Sequence, residues 1–269
     1  MALNDTAEIG VFGGSGFYSL LSNVREVDVE TPFGKPSDSL FLATHAGRRV
    51  AFLPRHGRAH TIPPHRINYR ANVWAMKSLG VRFMISPCAA GSLQSHIAPE
   101  HFVLCDQYVD RTSGRADTFF DGPEIHHVSA AQPYCPLLRQ MALEVINSHR
   151  ITVHAHGTVV VVQGPRFSTR SESKWYTGAG WDVINMTQYP EAHLCIEQEI
   201  AVVNICLVTD YDAGLASSGA VSPVTSEEVY RVFLKNAERV KKVTLDLIER
   251  IAPELNSPHH HALQGAKIG

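Results

Sequence analysis

Two aspartates one residue apart, Asp210 and Asp212, follow the apolar run 200–208 and are the part of the sequence best suited to chemistry. Residues two apart in an extended chain point the same way. Paired carboxylates of this kind suit a heterocycle that presents ring N–H and amino donors, since an ionised carboxylate only accepts. The same pair also suits a turn or a helix cap. A second cluster, Arg55-His56-Gly57-Arg58, ends the run 48–54. Arg offers a planar fork for phosphate; a solvated basic loop is the other reading. A third, Gly13-Gly14-Ser15-Gly16, lets the backbone turn and aim N–H groups at an anion, with the Ser15 hydroxyl beside them. It is neither GxGxxG nor a P-loop, and a plain turn is its other reading. A fourth, Pro87-Cys88-Ala89-Ala90-Gly91, has small side chains that let a ligand, or a second element, approach the backbone.

These residues need elements to hold them. Apolar and β-branched runs predict strands at 8–12, 48–54, 81–86, 101–109, 153–163, 182–187 and 200–208. The last is apolar on both sides, as in a central strand. Helical spacing predicts helices at 66–76, 136–148, 171–179 and 190–199. A capping box at Thr225-Ser226-Glu227-Glu228 opens a long amphipathic helix that ends near Pro253. Residues 112–123 read as a long loop, of the kind that forms lids or subunit contacts. All four clusters then fall at the carboxyl ends of strands, where open α/β sheets bind ligands. The fold class is α/β: a single domain with a central mixed, twisted sheet flanked by helices. Residues 256–269, with His259 to His261, read as a disordered tail.

Composition excludes several classes. A net charge of −2 gives no electrostatic case for nucleic acid or an anionic membrane. No apolar run approaches the roughly 20 residues of a membrane span, and the start carries no signal peptide. Five scattered cysteines, without a CxxC pair, read as reduced core residues of a cytoplasmic protein with no metal site. No magnesium-ligand motif and no Ser-His-Asp arrangement is present, which argues against phosphoryl transfer and acyl chemistry. What remains is a pocket with an anion on one side and a base on the other.

Taken in order, Gly13-Gly14-Ser15-Gly16, Pro54-Arg55-His56-Gly57-Arg58, 64–72, Ala89-Ala90-Gly91-Ser92-Leu93, Asp106-Gln107-Tyr108, 163–168, Asn185-Met186-Thr187 and Thr209-Asp210-Tyr211-Asp212 resemble the trimeric purine nucleoside phosphorylase family. The likeness is greatest to its 5′-methylthioadenosine phosphorylase branch. The resemblance implies a nucleoside phosphorylase domain over 1–255. It implies phosphorolysis of a purine nucleoside in purine salvage by a cytoplasmic homotrimer. Inorganic phosphate is the co-substrate and no cofactor is needed. It implies phosphate binding by Ser15, Arg55, His56, Cys88, Ala89 and Thr187. Cys88 stands where the family often has Thr, so one hydroxyl is lost. It places Met186 against the ribose, Phe167 and Ser168 around the base, and Asp210, Tyr211 and Asp212 at the base edge. Asp210 is the expected general acid. Asp at 210 goes with 6-aminopurines in the family. Ser168, Ser226 and Tyr230 are expected to set specificity, the last two in the 5′ pocket. Both are more polar than a methylthio group prefers, which leaves a 5′-hydroxyl substrate open; 6-oxopurine nucleosides (inosine, guanosine or methylthioinosine) are the alternative substrates.

Overall fold

Ala201–Asp210 (β12) is buried at every position, and the remaining elements are arranged around it. The computed structural model describes residues 6–13, 24–213 and 224–268. Side chains along β12 alternate between two cores. Val202, Cys206 and Val208 join one; Ala201, Val203, Ile205 and Leu207 join the other. Tyr69–Ser78 (α1) and Gln188–Glu197 (α4) pack over the first face, Pro136–Ser148 (α2) and Ser226–Arg250 (α5) over the second. This is why the strand reads as continuously apolar: both faces are covered by helices.

β12 runs parallel to Phe83–Ser92 (β5), from Ala201 opposite Phe83 to Asp210 opposite Gly91. The register slips between Val208 and Asp210, an irregularity of the kind that re-aims a side chain at a strand end. On its other edge β5 has two partners in succession. Ile9–Gly13 (β1) pairs in parallel with Phe83, Met84 and Ile85; Val183–Asn185 (β11) pairs antiparallel with Gly91 and Ser92. Between them, residues 86–90 face neither strand. Arg48–Pro54 (β4), Leu40–His45 (β3) and Arg25–Val27 (β2) extend the sheet beyond β1. Thr158–Val162 (β10) and Gln107–Arg111 (β7) extend it beyond β11. The sheet is mixed, as expected, because β3, β11 and the short Phe102–Val103 (β6) pair antiparallel with a neighbour.

Three expectations change. The strand expected at 81–86 does not stop there: the small residues 87–92, expected beyond its end, continue β5. The runs 101–109 and 153–163 each divide in two: β6 and β7, and Val153–His154 (β9) and β10. A Cβ at Gly157 would stand 2.7 Å from Val103, so the chain between β9 and β10 passes too close to β6 for a side chain. The tail is also ordered. Ser257 caps a 3-10 turn at Pro258–His261, and Lys267–Ile268 (β13) pairs with Ile125–His126 (β8). The histidines are polar handles, not a solvated run: His259 bonds the carbonyl of Gln132 at 2.9 Å, and His260 that of Arg82 at 3.1 Å. No described helix is long and apolar enough to cross a membrane.

Candidate active site

Arg55, just past β4, is buried beneath the open stretch of β5. Its fork closes on Glu191 of α4, at 2.8 Å from Nε and 3.0 Å from Nη2. Its other donors reach the carbonyls of Pro87 (2.9 Å) and Phe12 (3.0 Å) and the hydroxyl of Ser86 (3.0 Å). The bidentate face expected to hold phosphate is therefore engaged by a carboxylate inside the protein. Arg55 ties together the ends of β1 and β4, the middle of β5 and the start of α4, while among the described residues one Nη1 hydrogen has no partner. Glu191 carried no sequence signal, because its partner lies 136 residues away.

His56 is partly buried beside it. Its Nδ1 lies 2.9 Å from the carbonyl of Ile62. A carbonyl only accepts, so Nδ1 carries the hydrogen and the neutral ring has its lone pair at Nε2. Burial holds the imidazole down at about 4. Its ring stacks on His60 with centroids 4.6 Å apart.

The open edge of β5 lies between these residues and β11. In an extended strand the N–H of Ala89 faces the same side as the C=O of Pro87, the side Arg55 occupies. Cys88 is held by its neighbours. Its Sγ lies 3.4 Å from Cys206 and accepts from Asn185 (3.2 Å) and Asn204 (3.3 Å). The contact with Cys206, then burial, keep the thiol neutral well above its usual range. β11 runs antiparallel to β5, which brings Asn185, Met186 and Thr187 back alongside Cys88–Ala90. Asn185, missed in the sequence, pins this turn through the N–H of Gln188 at 3.4 Å. Thr187 is buried at the N-cap of α4, yet its hydroxyl makes no capping bond. Gly164 must be glycine: at φ +63° a Cβ would stand 2.6 Å from the Met186 sulfur. Ser15 and its glycines, 14–16, lie outside the described residues.

At the end of β12 both aspartates are buried. Asp210 Oδ2 accepts from the Thr209 hydroxyl and Oδ1 from the backbone N–H of Asp212, both at 2.7 Å. Burial raises Asp210 to about 6 and pushes Asp212 up as well. Against that burial the Ser173 hydroxyl, the Ala213 N–H and the Ser168 hydroxyl pull Asp212 down, although Asp212 Oδ2 and Ser168 Oγ make no hydrogen bond of ordinary geometry among the described residues. Phe167 is 36% exposed, free to stack. Tyr211 is half-buried between the aspartates.

Ser226 and Tyr230 lie at the exposed start of α5, Tyr230 at 64% exposure. The described residues do not enclose them in a 5′ pocket; segment 214–223, which precedes α5, lies outside those residues. A bond from the Val224 N–H to the Asp212 carbonyl (2.8 Å) anchors the approach to the helix at the site. The 112–123 loop is tied down by Arg115, also missed, which donates to the carbonyls of Tyr189, Val162 and Gln163 and to Tyr69 Oη.

A family model described as the phosphorylase superfamily matches residues 8–249. The chain is 50% identical over 279 residues to a purine nucleoside phosphorylase of Streptomyces coelicolor, covering 100% of this chain and 99% of that one. It is 46% identical over 263 residues to an S-methyl-5′-thioadenosine phosphorylase of Nitrosopumilus maritimus, covering 97% and 98%. A solved methylthioadenosine phosphorylase from an antarctic soil metagenomic library superimposes with a TM-score of 0.92 at 40% identity, covering 98% of this chain and 93% of that one. A strand-end site assembled on one mixed sheet, and relatives matched over nearly their whole length, lead to one assignment: the chain belongs to the phosphorylase superfamily.

Proposed function

We propose that the protein phosphorolyses S-methyl-5′-thioadenosine, giving adenine and 5-methylthioribose 1-phosphate. Asp210 carries the reading. As the C–N9 bond breaks, positive charge builds on the sugar and negative charge on the purine. A buried carboxyl raised to about 6 holds a proton for N7 closer to neutral pH than an ordinary aspartate does. Phosphate attacks the opposite face of the sugar from the Ala89–Thr187 side, and its charge stabilises the cationic sugar. An ionised Asp210 or Asp212 carboxylate can accept from a 6-amino group, which donates, and this supports adenine as the base. The relatives named for methylthioadenosine support the same substrate.

A 6-oxopurine nucleoside is the second reading, favoured by the 50% identity to a purine nucleoside phosphorylase. The same proposal includes a cytoplasmic homotrimer in purine salvage, working without a cofactor, on the strength of the family resemblance. The test is phosphate-dependent base release from methylthioadenosine, adenosine, inosine and methylthioinosine. Adenine release led by methylthioadenosine is expected; hypoxanthine as the main product would replace this reading with the second.

A further inference from the structure

We propose that the phosphate subsite selects its anion by protonation state: hydrogen phosphate binds with its P–OH donating to the bare Nε2 of His56, whereas sulfate binds only once that nitrogen has taken up a proton. The inference rests on the reading that phosphate sits beside His56, on the Ala89–Thr187 side, and deepens it.

The geometry begins with the tautomer. The Ile62 carbonyl at 2.9 Å fixes the hydrogen on Nδ1, so the neutral ring offers Nε2 as an acceptor. No bond to Nε2 is formed among the described residues. The groups around the ring disfavour a cation. His60 stacks on it at 4.6 Å, and Arg55 is its chain neighbour. Glu191, the carboxylate nearest in the network, is held by Arg55 and Ser86 and bonds no atom of His56. Burial is the larger influence and, with His60 and Arg55, holds the ring down at about 4.

Arg55 does not change the picture. Its charge is matched by Glu191, and its fork points inward. An incoming tetrahedral anion therefore meets a nitrogen lone pair and not a free cation. Two lone pairs facing each other repel; a hydrogen between them turns the contact into a bond. Hydrogen phosphate carries that hydrogen at neutral pH. Sulfate does not, so the hydrogen must come from solvent and reside on His56.

Calorimetric titration of the wild-type protein with inorganic phosphate and with sulfate, in two buffers of different ionisation enthalpy, tests this. Between about pH 7.5 and about pH 8.5 phosphate affinity should stay within about twofold with no net proton uptake. Sulfate should bind with uptake of one proton and weaken about tenfold over the same range. Hydrogen arsenate should follow phosphate. His56→Gln, whose amide both donates and accepts, should remove the pH dependence for sulfate and bring the two affinities together. Sulfate binding without proton uptake, at an affinity matching phosphate, overturns the inference. If His56→Gln leaves both affinities unchanged, phosphate lies elsewhere and the underlying site assignment fails instead.

Discussion

Gly91 and Asp210 occupy one space: a Cβ at residue 91 would stand 2.9 Å from Oδ1 of the aspartate. Ile184 at 3.1 Å and the Asp212 backbone nitrogen at 3.3 Å close the other sides. The small residue in β5 makes room for a carboxylate of the neighbouring strand. Gly91→Ala should push Asp210 off its position, lowering kcat at least about tenfold, since small misplacements of reacting groups cost that much or more. Steady-state kinetics beside a melting curve checks this. The stability loss should stay within about 1–3 kcal/mol, the usual range for overpacking.

Glu191→Ala leaves the buried Arg55 charge uncompensated. The expected loss is about 3–5 kcal/mol of stability, read by denaturant unfolding. Removing both partners should cost less than the sum of the single changes, because they act on one network. A double-mutant cycle that came out additive would mean the pair does not bind together in solution.

The pH dependence follows from Asp210. Its carboxyl is raised to about 6, so the protonated acid declines as pH rises through that value. The profile of kcat/KM, which reports the free enzyme, should fall on the alkaline side with an apparent pKa near 6. Asp210→Asn should abolish that limb. A limb unchanged in the variant would assign it to another group.

Asp210→Asn should also change base preference, lowering activity on adenosine-type substrates and raising relative activity on inosine, because the amide can donate to O6. Unchanged ratios would defeat the donor–acceptor argument. The sign for stability is opposite to that for activity. A carboxyl raised in the folded state binds more protons there than in the unfolded chain, so it subtracts stability as pH climbs from about 4 to about 6. At neutral pH the variant should gain on the order of 2–3 kcal/mol in unfolding free energy.

The central strands were legible because they are β-branched runs whose burial on both faces needs no long-range information; β2, β3 and the second half of β5 were not. Asp210, Asp212 and His56 could be singled out because they follow where those runs stop, whereas Thr187 entered only through the family resemblance. Glu191 was not: a glutamate in a first helical turn is ordinary, and only the fold brings it to Arg55. That same pairing altered the expected part played by Arg55, from ligand fork to internal tie. Gly91 and Gly164 were readable as small, but what fills the space beside them is set by β12 and by Met186. The histidines of the tail misled because three in a row read as composition, whereas two of them cap carbonyls 127 and 178 residues away.

The central position of β12 has a consequence for synthesis. The strand that completes both cores comes after residue 200 of 269, so a ribosome-bound chain carries one edge of β5 unpaired until three quarters of the protein has emerged. An unpaired apolar edge is open to other chains. Release of this polypeptide in functional form therefore depends on the interval between the emergence of β5 and that of β12, and stalling within that interval is where aggregation should concentrate.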